Sequence, residues 1–323
     1  MTNITRSACC DVAVIGSGPA GLSAAITLKE LGVQKVVVID REQEAGGIPR
    51  HCGHPAFGMM EYFMPMTGPA YARRLVQTAW AAGVDIILGT SVTRLAPEGQ
   101  LTLVTPGGMR VVKARRVVLA TGARETPRSA RLISGGRPQG ITTTGALQSM
   151  FYLKGLIPFR KPVIVGTEIV SLSALLTCRK AGIRPAAMLE QNAYPTAPWP
   201  LYWGAKIFGV PLHTGTQITD ISGKNRVKGV SIQTRAGNIE TIDCDGVLFT
   251  GQFTPESALA RTSLLKMDNQ TGSPCTDRFG RCSDPAYYAA GNLLPPLNMA
   301  MNCWQAGKKI ARNIVEDLKG NLP

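Results

Sequence analysis

Residues 11–21 read DVAVIGSGPAG, and residues 22–40 continue as LSAAITLKELGVQKVVVID. The apolar run at the start of the first segment predicts a short strand. Residues 22–31 have the composition of a helix, which Gly32 closes, and a second apolar strand then ends at Asp40. The order of strand, glycine loop, helix and strand predicts one βαβ unit of a parallel sheet.

Three glycines stand in the loop of this unit with the spacing G-x-G-x-x-G. Gly16 permits a tight turn, Gly18 lets a pyrophosphate approach the backbone, and Gly21 lets the helix pack closely on the strand. The helix N-terminus offers free N–H groups and a partial positive charge to phosphates. Asp40 stands where an acid accepts hydrogen bonds from a ribose diol. This combination predicts a dinucleotide site; the minor alternative is a glycine turn without a ligand.

A second βαβ pattern begins with the strand PVIVG at residues 162–166 and ends at Glu190. Its loop keeps only the first glycine, Gly166. Glu168 stands where the backbone would have to approach a pyrophosphate, and it brings bulk and negative charge. We therefore expect a dinucleotide fold that no longer binds a dinucleotide. Glu190 argues the other way, because it stands where an acid would accept hydrogen bonds from the ribose of a nicotinamide nucleotide.

The composition is that of a folded chain with room for two domains: 323 residues, of which 44% are hydrophobic and 17% charged. No stretch reaches the roughly 18 consecutive apolar residues of a membrane span, and the N-terminus does not resemble a signal peptide. The net charge is +14, yet zinc spacings and a basic stripe interleaved with aromatic residues are missing, so we expect no nucleic-acid partner. The basic segment Arg110–Arg137 is either a solvated face or a surface for an acidic protein.

Eight cysteines are spread along the chain, and none forms a CxxC pair. A zinc knuckle and a thioredoxin-type dithiol are therefore not expected. Buried free thiols in a reducing compartment are the simpler interpretation, which predicts a cytoplasmic protein.

Three further motifs follow the first loop: VVLATGARE at residues 117–125, DGVLFTGQFTPES at 245–257 and YYAAGN at 287–292. Together with GSGPAG and Asp40, in this order, they resemble the flavoproteins with two dinucleotide-binding domains, such as thioredoxin reductase and glutathione reductase. The resemblance covers nearly the whole chain. It implies an α/β fold with a Rossmann-like FAD domain, residues 1–142 and 247–323. A degenerate NAD(P)-type domain is inserted at residues 143–246.

The same resemblance assigns FAD contacts to residues scattered over the first domain. In the family, the glycine before the last helix positions the ribityl-pyrophosphate and an Asp usually follows it; here Asn292 follows Gly291. The segment Trp304-Gln305-Ala306 is similar to the Arg-Gln-Ala whose backbone meets the pyrimidine edge of the flavin. The complete expected set is Gly16, Ser17, Gly18, Pro19, Ala20, Gly21, Asp40, Arg41, Gly47, Ile48, Val92, Ala120, Thr121, Gly122, Gly291, Asn292, Gln305 and Ala306.

The redox dithiol of the disulfide reductases is missing from its usual place. Residues 46–54 read GGIPRHCGH, so Pro49 and His54 stand where the two cysteines would be, and Cys52 is out of register. Two-cysteine chemistry needs two thiols close together. We therefore expect no reduction of thioredoxin-like or glutathione-like disulfides.

The cluster His51, Cys52 and His54 is the candidate for catalysis. Imidazoles near neutral pH can move protons or tune a flavin beside them. An equally weighted alternative is a turn whose imidazoles satisfy backbone groups. A metal is the least favoured interpretation, because further ligands with suitable spacing are missing, and we expect no metal site.

The segment EAGGIPRHCGHPAFGM, residues 44–59, looks like the FAD subunits of multi-component opine, hydroxyproline, proline and glycerol-3-phosphate dehydrogenases and of hydrogen cyanide synthase. This resemblance implies an electron-transferring subunit of a hetero-oligomeric dehydrogenase for an amine, amino acid or hydroxy acid. A partner flavoprotein subunit, and also a small iron–sulfur protein, would work with it. The alternatives are a stand-alone NAD(P)H-dependent flavin reductase, a non-redox scaffold that binds an ADP-type ligand, and a stand-alone oxidase that uses molecular oxygen.

Overall fold

The computed structural model describes residues 8–297 and 299–322. The chain forms two compact units. The first contains the residues up to Arg50, Pro55–Arg124 and the residues from Thr254 onward. The second contains His51–His54 and Glu125–Phe253. The sequence-based division at residues 143 and 246 therefore falls inside the span of this second unit.

The helices and strands follow one another in three stretches of the chain. The first stretch contains β1 (Ala8–Ile15), α1 (Pro19–Glu30), β2 (Val36–Ile39), α2 (Gly68–Ala81), β3 (Asp85–Ile87), β4 (Ser91–Ala96), β5 (Gln100–Thr105) and β6 (Gly108–Leu119). The second contains β7 (Ala123–Glu125), β8 (Ile141–Thr143), α3 (Thr144–Gln148), β9 (Pro162–Val165), α4 (Ile169–Lys180), β10 (Ala187–Leu189), α5 (Gly204–Ile207), β11 (Leu212–His213), β12 (Thr216–Ser222), β13 (Gly229–Thr234), β14 (Ile239–Asp243) and β15 (Gly246–Phe249). The third contains β16 (Phe253–Pro255), α6 (Ala258–Arg261), β17 (Tyr287–Ala289) and α7 (Ala300–Leu318).

The first unit is built on a mixed sheet in the order β3-β2-β1-β6-β5-β4, and β17 also pairs with β6. The strands β2, β1, β6 and β17 are parallel, and their ends are in register. Ile15 pairs with Ile39 and with Leu119, and Leu119 pairs with Ala289. The residues that follow these strands therefore meet at one edge of the sheet. In open parallel sheets this carboxyl edge is where ligands bind.

Helix α1 packs between the sheet and the C-terminal helix α7. The contact is close because both partners have small residues. A Cβ on Gly307 of α7 would lie 2.2 Å from the carbonyl oxygen of Ala20, and the Ser23 hydroxyl donates to the carbonyl of Trp304 over 2.6 Å. Glycine at residue 307 is thus required for this approach of the two helices.

The second unit repeats the pattern on a five-stranded parallel sheet, in the order β11-β10-β9-β15-β8. Here Val165 pairs with Leu189 and Phe249, and Phe249 pairs with Thr143. The antiparallel sheet β12-β13-β14 belongs to the same unit. Among the residues covered by the structure, no helix has the length and hydropathy to cross a membrane.

Candidate functional site

The glycine loop of the first unit follows β1 directly, and two of its glycines are required by the protein itself. Gly16 has a φ of +105°, and a Cβ there would lie 2.4 Å from the carbonyl oxygen of Ala120. A Cβ on Gly21 would lie 1.9 Å from the carbonyl oxygen of Gly16. Both positions therefore exclude a side chain, because backbone atoms cannot move aside.

Gly18 differs from both neighbours because a Cβ at this residue would meet no protein atom within 4 Å. Gly18 is the N-cap of α1, and the structure shows no side-chain hydrogen bond capping this end of the helix. The first turn of α1 contains no acidic residue. A helix N-terminus without a side-chain cap and with an uncrowded glycine fits the pyrophosphate of a dinucleotide.

Asp40 lies immediately after β2 and is joined to the loop. Its Oδ2 accepts hydrogen bonds from the backbone N–H and the hydroxyl of Ser17 over 2.7 Å and 2.5 Å. Its Oδ1 accepts the backbone N–H of Glu42 over 2.9 Å. An ionised carboxylate offers about four acceptor positions. The half-buried Asp40 therefore retains capacity to accept a further hydrogen bond, as the ribose of a dinucleotide requires.

Several of the other expected cofactor residues lie beside this loop. The N–H of Ala120 donates to the carbonyl of Ile15 over 2.9 Å, and the hydroxyl of Thr121 donates to the carbonyl of Glu256 over 2.7 Å. A Cβ on Gly291 would lie 2.7 Å from that of Ala20. The structure thus brings the turns after β1, β6 and β17 together. Gly122 and Gly291 both have positive φ angles, 76° and 69°.

The remaining expected residues lie around these turns. A Cβ on Gly47 would lie 2.7 Å from the Cα of Gly18, so these two segments are in contact. The N–H of Thr90 donates to the carbonyl of Asp40 over 3.0 Å, two residues before Val92. Most of the other expected residues lie in helices of the first unit. Pro19 begins α1, and Gln305 and Ala306 lie in α7. Asn292 is half-buried in the short helix Gly291–Leu293, whereas Arg41 and Ile48 are exposed.

The equivalent loop of the second unit is filled by its own side chains. Glu168 is the N-cap of α4, and its carboxylate lies against two glycines. A Cβ on Gly166 would lie 2.6 Å from Oε2, and a Cβ on Gly251 would lie 2.0 Å from Oε1. Oε1 is buried without a hydrogen-bond partner among the described residues. A negative charge thus already occupies the N-terminus of α4, where a phosphate would otherwise bind.

Arg131 approaches the same loop from the segment after β7. Its guanidinium donates to the carbonyl oxygens of Thr250 and Gly251 over 3.0 Å and 2.7 Å. Desolvation lowers the pKa of Arg131, and the charges of Glu168 and Glu125 oppose this shift. The cation therefore balances the glutamates and holds the turn after β15 in place.

Glu190 is fully engaged within the second unit. Its side chain is buried, with 5% of its surface exposed. Oε2 accepts the hydroxyls of Thr167 and Thr196, and Oε1 accepts the backbone N–H and the side-chain amide of Asn192. These bonds use about the full acceptor capacity of a carboxylate. Glu190 therefore has no position left for a nucleotide ribose.

The loop after β10 folds back to close this site. The N–H of Thr196 donates to the hydroxyl of Thr167 over 2.8 Å, and the N–H of Ala197 donates to the carbonyl of Thr167 over 3.1 Å. Sequence analysis missed this contribution of Thr196. The sequence signal that was present concerns Thr167, which stands 23 residues before Glu190 as Ser17 stands 23 residues before Asp40.

His51, Cys52 and His54 belong to the second unit. The thiol of Cys52 donates to Oε1 of Gln148 over 3.6 Å, and a Cβ on Gly53 would lie 2.2 Å from the ring of Tyr152. The segment therefore packs against the chain that follows β8. No sequence pattern indicated Gln148 and Tyr152 as its neighbours, because about 100 residues separate the two segments.

Burial governs the chemistry of this cluster. Desolvation, with a smaller contribution from the charge of Glu125, raises the pKa of Cys52 to about 12. Desolvation lowers the pKa of His54, so its imidazole is neutral near pH 7. Burial also raises the pKa of Glu125, whose Oε2 accepts the N–H of Gly145 over 2.7 Å. A thiol with such a pKa is a poor nucleophile at neutral pH.

The basic segment Arg110–Arg137 is largely engaged in contacts within each unit. Its ion pairs are Lys113–Glu98, Arg115–Asp11, Arg116–Asp317 and Arg124–Glu256. Arg128 donates to carbonyl oxygens of the turn at residues 133–136, and Arg131 donates as described above. The segment thus pairs largely with its own unit, while the side chains of Lys113, Arg115 and Arg124 remain more than half exposed. In the part of the chain that the structure covers, no three His, Cys, Asp or Glu side chains are grouped to hold a metal ion.

The family model described as pyridine nucleotide-disulphide oxidoreductase matches residues 10–307. Among the curated relatives is one of the subunits of opine oxidase from Rhizobium meliloti (strain 1021). It is 29% identical over 279 residues, which are 80% of this chain and 59% of that protein. The chain spans about three fifths of the length of the first curated relatives it matches.

Two solved structures have similar folds. Thioredoxin reductase of T. acidophilum has a TM-score of 0.81 at 21% identity, covering 96% of this chain and 99% of that one. L-proline dehydrogenase from P. horikoshii has a TM-score of 0.73 at 20% identity, covering 96% of this chain and 56% of that one. At these identities the likeness concerns the fold, which is the Rossmann-like α/β architecture expected from the sequence.

Proposed function

This chain belongs to the pyridine nucleotide-disulphide oxidoreductase family, and we propose that it is the electron-transferring FAD subunit of a hetero-oligomeric dehydrogenase. The enzyme class is that of the family, an oxidoreductase, and FAD is the family's cofactor. The substrate we propose is an amine, an amino acid or a hydroxy acid. The similarity to an opine oxidase subunit supports this class of substrate and the role of one component in a larger enzyme.

One contrast carries the proposal: the dinucleotide loop of the first unit is open at Gly18, whereas that of the second is filled by Glu168. An enzyme that takes hydride from NADH needs a second open loop. A disulfide reductase needs a pair of thiols, and Cys52 has no second cysteine in its segment. Reducing equivalents must therefore enter and leave by another route, for which a partner protein is the simplest source.

The residues of the first unit have separate tasks in holding FAD. The N-terminus of α1 and Gly18 bind the pyrophosphate, and Asp40 orients a ribose. Gly291 and Asn292 lie at the ribityl-pyrophosphate, and Gln305 and Ala306 at the pyrimidine edge, as the family resemblance implies. When bound, FAD supplies the electron-accepting and electron-donating chemistry.

The partner we propose is a second flavoprotein subunit, which oxidises the substrate, together with a small iron–sulfur protein as electron acceptor. We propose His51, Cys52 and His54 as the catalytic residues that act on protons, and His54 is neutral near pH 7 because burial lowers its pKa. Buried thiols such as Cys178 and Cys282 suit a reducing compartment, and we assign the subunit to the cytoplasm.

The decisive experiment is purification of the full chain, under its native promoter and with a C-terminal tag, from its source. We expect FAD on this chain, a second co-eluting flavoprotein, and bleaching of the flavins by substrate under anaerobic conditions. A G18V preparation serves as the control that lacks FAD on this chain.

Each alternative gives a different result in this experiment. Rapid, saturable bleaching by NADH or NADPH would identify a flavin reductase. A homo-oligomer that oxidises an amino acid with oxygen would identify a stand-alone oxidase. An assembly that keeps full activity with the G18V chain would identify a non-redox scaffold.

A further inference from the structure

An apolar segment of the first unit lies in sequence between the glycine loop and α2. We call residues 55–66, PAFGMMEYFMPM, the methionine lobe. Four of its large side chains are exposed: Met59 by 55%, Met60 by 47%, Phe63 by 89% and Met64 by 45%. Clustered exposed apolar side chains mark interaction surfaces, and flexible methionines adapt to a partner's shape.

The lobe is held in place by its inward residues. Phe57 and Met66 exchange backbone hydrogen bonds of 3.2 Å and 2.8 Å, and the ring of Phe57 stacks on Tyr71 with centroids 5.6 Å apart. The N–H of Tyr62 donates to the carbonyl of Gly58 over 2.9 Å. The exposed side chains are therefore presented by an anchored segment, which lowers the entropy cost of binding.

Phe63 has an unusual backbone conformation for a bulky residue. Its φ is +53°, in the left-handed region that favours glycine or asparagine. The fold thus retains an aromatic side chain that is both exposed and conformationally unfavourable. Strained backbone conformations cluster at functional sites, and large aromatic side chains are suited to anchor an interface by filling a pocket.

The charges beside the lobe indicate what kind of surface it meets. Glu61 turns inward, where its Oε1 accepts the hydroxyl of Tyr71 over 2.8 Å. The guanidinium of Arg74 lies 4.2 Å from the centroid of the Tyr62 ring, and Arg73 is exposed beside it. The rim is therefore cationic. Two copies meeting through this lobe would bring like charges together on chains that each have a net charge of +14.

We propose that the methionine lobe docks into an apolar socket, rimmed by carboxylates, on the partner flavoprotein subunit. The proposal rests on the proposed function, because it names the contact through which that partner binds. Phe63 fills the socket, the methionines pack around it, and Arg73 faces the acidic rim. None of these residues belongs to the FAD cradle.

The test uses asparagine, which tolerates the left-handed conformation. F63N removes the aromatic ring, and L132N is the matched control, because Leu132 is also 89% exposed and has a φ of +56°. Leu132 does not belong to a run of exposed apolar residues like that of the lobe. The nearest described, exposed large apolar residues in the sequence are Val111 and Leu153. Both variants should keep the melting temperature and FAD content of the wild-type chain.

The partner subunit is isolated from the native assembly and titrated with each full-length chain. We expect F63N to raise the Kd by at least about ten-fold and L132N to change it by less than about two-fold. R73E should slow association at low salt by about ten-fold while the dissociation rate stays similar. An unchanged association rate for R73E would contradict the proposed carboxylates around the socket of the partner subunit.

The other results overturn the proposal in distinguishable ways. If F63N and L132N both bind like wild type, the lobe is not the docking surface, while the subunit role stands. If F63N dissociates a homo-oligomer and leaves partner binding unchanged, the lobe joins two copies of this chain. If wild type yields no second flavoprotein, the proposed function fails, and with it the partner named for the lobe.

Discussion

Asp40 and Glu190 occupy equivalent positions, yet only one of them remains available to a ligand. Asp40 is half-buried and engaged by Ser17 and Glu42. Glu190 is buried and engaged on both oxygens by neighbours of its own unit. Because a saturated, buried carboxylate offers no lone pair, the difference between the two units lies in a few hydrogen bonds.

The glycines of the first loop allow a test that separates folding from binding. G18V should remove stoichiometric FAD without unfolding the protein, because the Cβ meets no protein atom within 4 Å. G21A should instead destabilise the fold, since its Cβ would lie 1.9 Å from a backbone oxygen. Flavin absorbance and the melting temperature of the apoprotein measure the two effects. Retention of FAD by G18V would refute the assignment of this loop.

Cys52 should be unreactive despite its place in the candidate catalytic cluster. With a pKa of about 12, its thiolate fraction near pH 8 is about 10⁻⁴, against roughly a quarter for a thiol of pKa 8.5. Iodoacetamide should therefore label Cys52 at least about 100-fold more slowly than the exposed Cys275, as peptide mass spectrometry can measure. C52S should leave FAD content unchanged. Equal labelling rates would show that Cys52 is an activated thiol.

The helices and strands of the two units are arranged in the same way. In each, parallel strands end in register, so that turns distant in sequence meet at the carboxyl edge. Function is decided by what lies at that edge. The loop after β10, which brings Thr196 onto Thr167, converts a nucleotide site into a packed corner.

Because the second unit's own residues fill this site, we expect NADH and NADPH to be poor reductants of the bound flavin. Glu168 opposes the pyrophosphate, and Glu190 cannot bind a ribose. E168G alone should not restore nucleotide binding, because Thr196 and Glu190 still close the site. Anaerobic stopped-flow mixing of wild type and E168G with each nucleotide checks this. Saturable, rapid reduction of the wild-type flavin would contradict it.

The end of α7 is tied to the sheet by a carboxylate with a pH-dependent role. Asp317 accepts hydrogen bonds from Arg116 and, over 2.7 Å, from Tyr288. Burial alone raises the pKa of Asp317, but these hydrogen bonds outweigh it and the net pKa is lowered. The stabilisation is therefore present above the ordinary Asp pKa of about 3.9 and is lost as the pH falls through the lowered value.

We accordingly expect D317N to unfold more easily than wild type at neutral pH, by about 1.5–3 kcal/mol, the value of hydrogen bonds to a charged group. Well below pH 3.9 the two proteins should converge. E30Q, which changes an exposed carboxylate at the end of α1, is the control and should resemble wild type. Thermal unfolding across this pH range measures all three. A constant difference at every pH would exclude titration of Asp317 as its cause.

For the whole molecule, the charge of +14 has consequences for assembly. Complementary charges mainly accelerate encounter, and salt screens them over about 8 Å at physiological ionic strength. We expect the association rate with the partner subunit to fall by about ten-fold or more between low and high salt, while dissociation changes little. Surface-based binding kinetics at several salt concentrations measure both rates. An association rate that rises with salt would indicate a basic partner.

Much of the fold could be predicted because its signals are local. The sequence predicts strands and helices around Gly16 and Gly166 that agree with the structure to within a few residues. The cysteine and histidine cluster was less predictable. Whether Cys52 is reactive depends on its burial by segments distant in sequence, to one of which Gln148 belongs, 96 residues away.

Local sequence was enough to predict the two βαβ units, their glycine loops and the acids that end the second strand of each unit. It could do so because backbone conformation, glycine freedom and hydrophobic period act over neighbouring residues. The tertiary structure alone decided that Glu190 is saturated, that Cys52 is desolvated and that Phe63 faces solvent. Burial and hydrogen-bond partners arise when distant segments pack, and no local pattern specifies which segment will cover a given side chain.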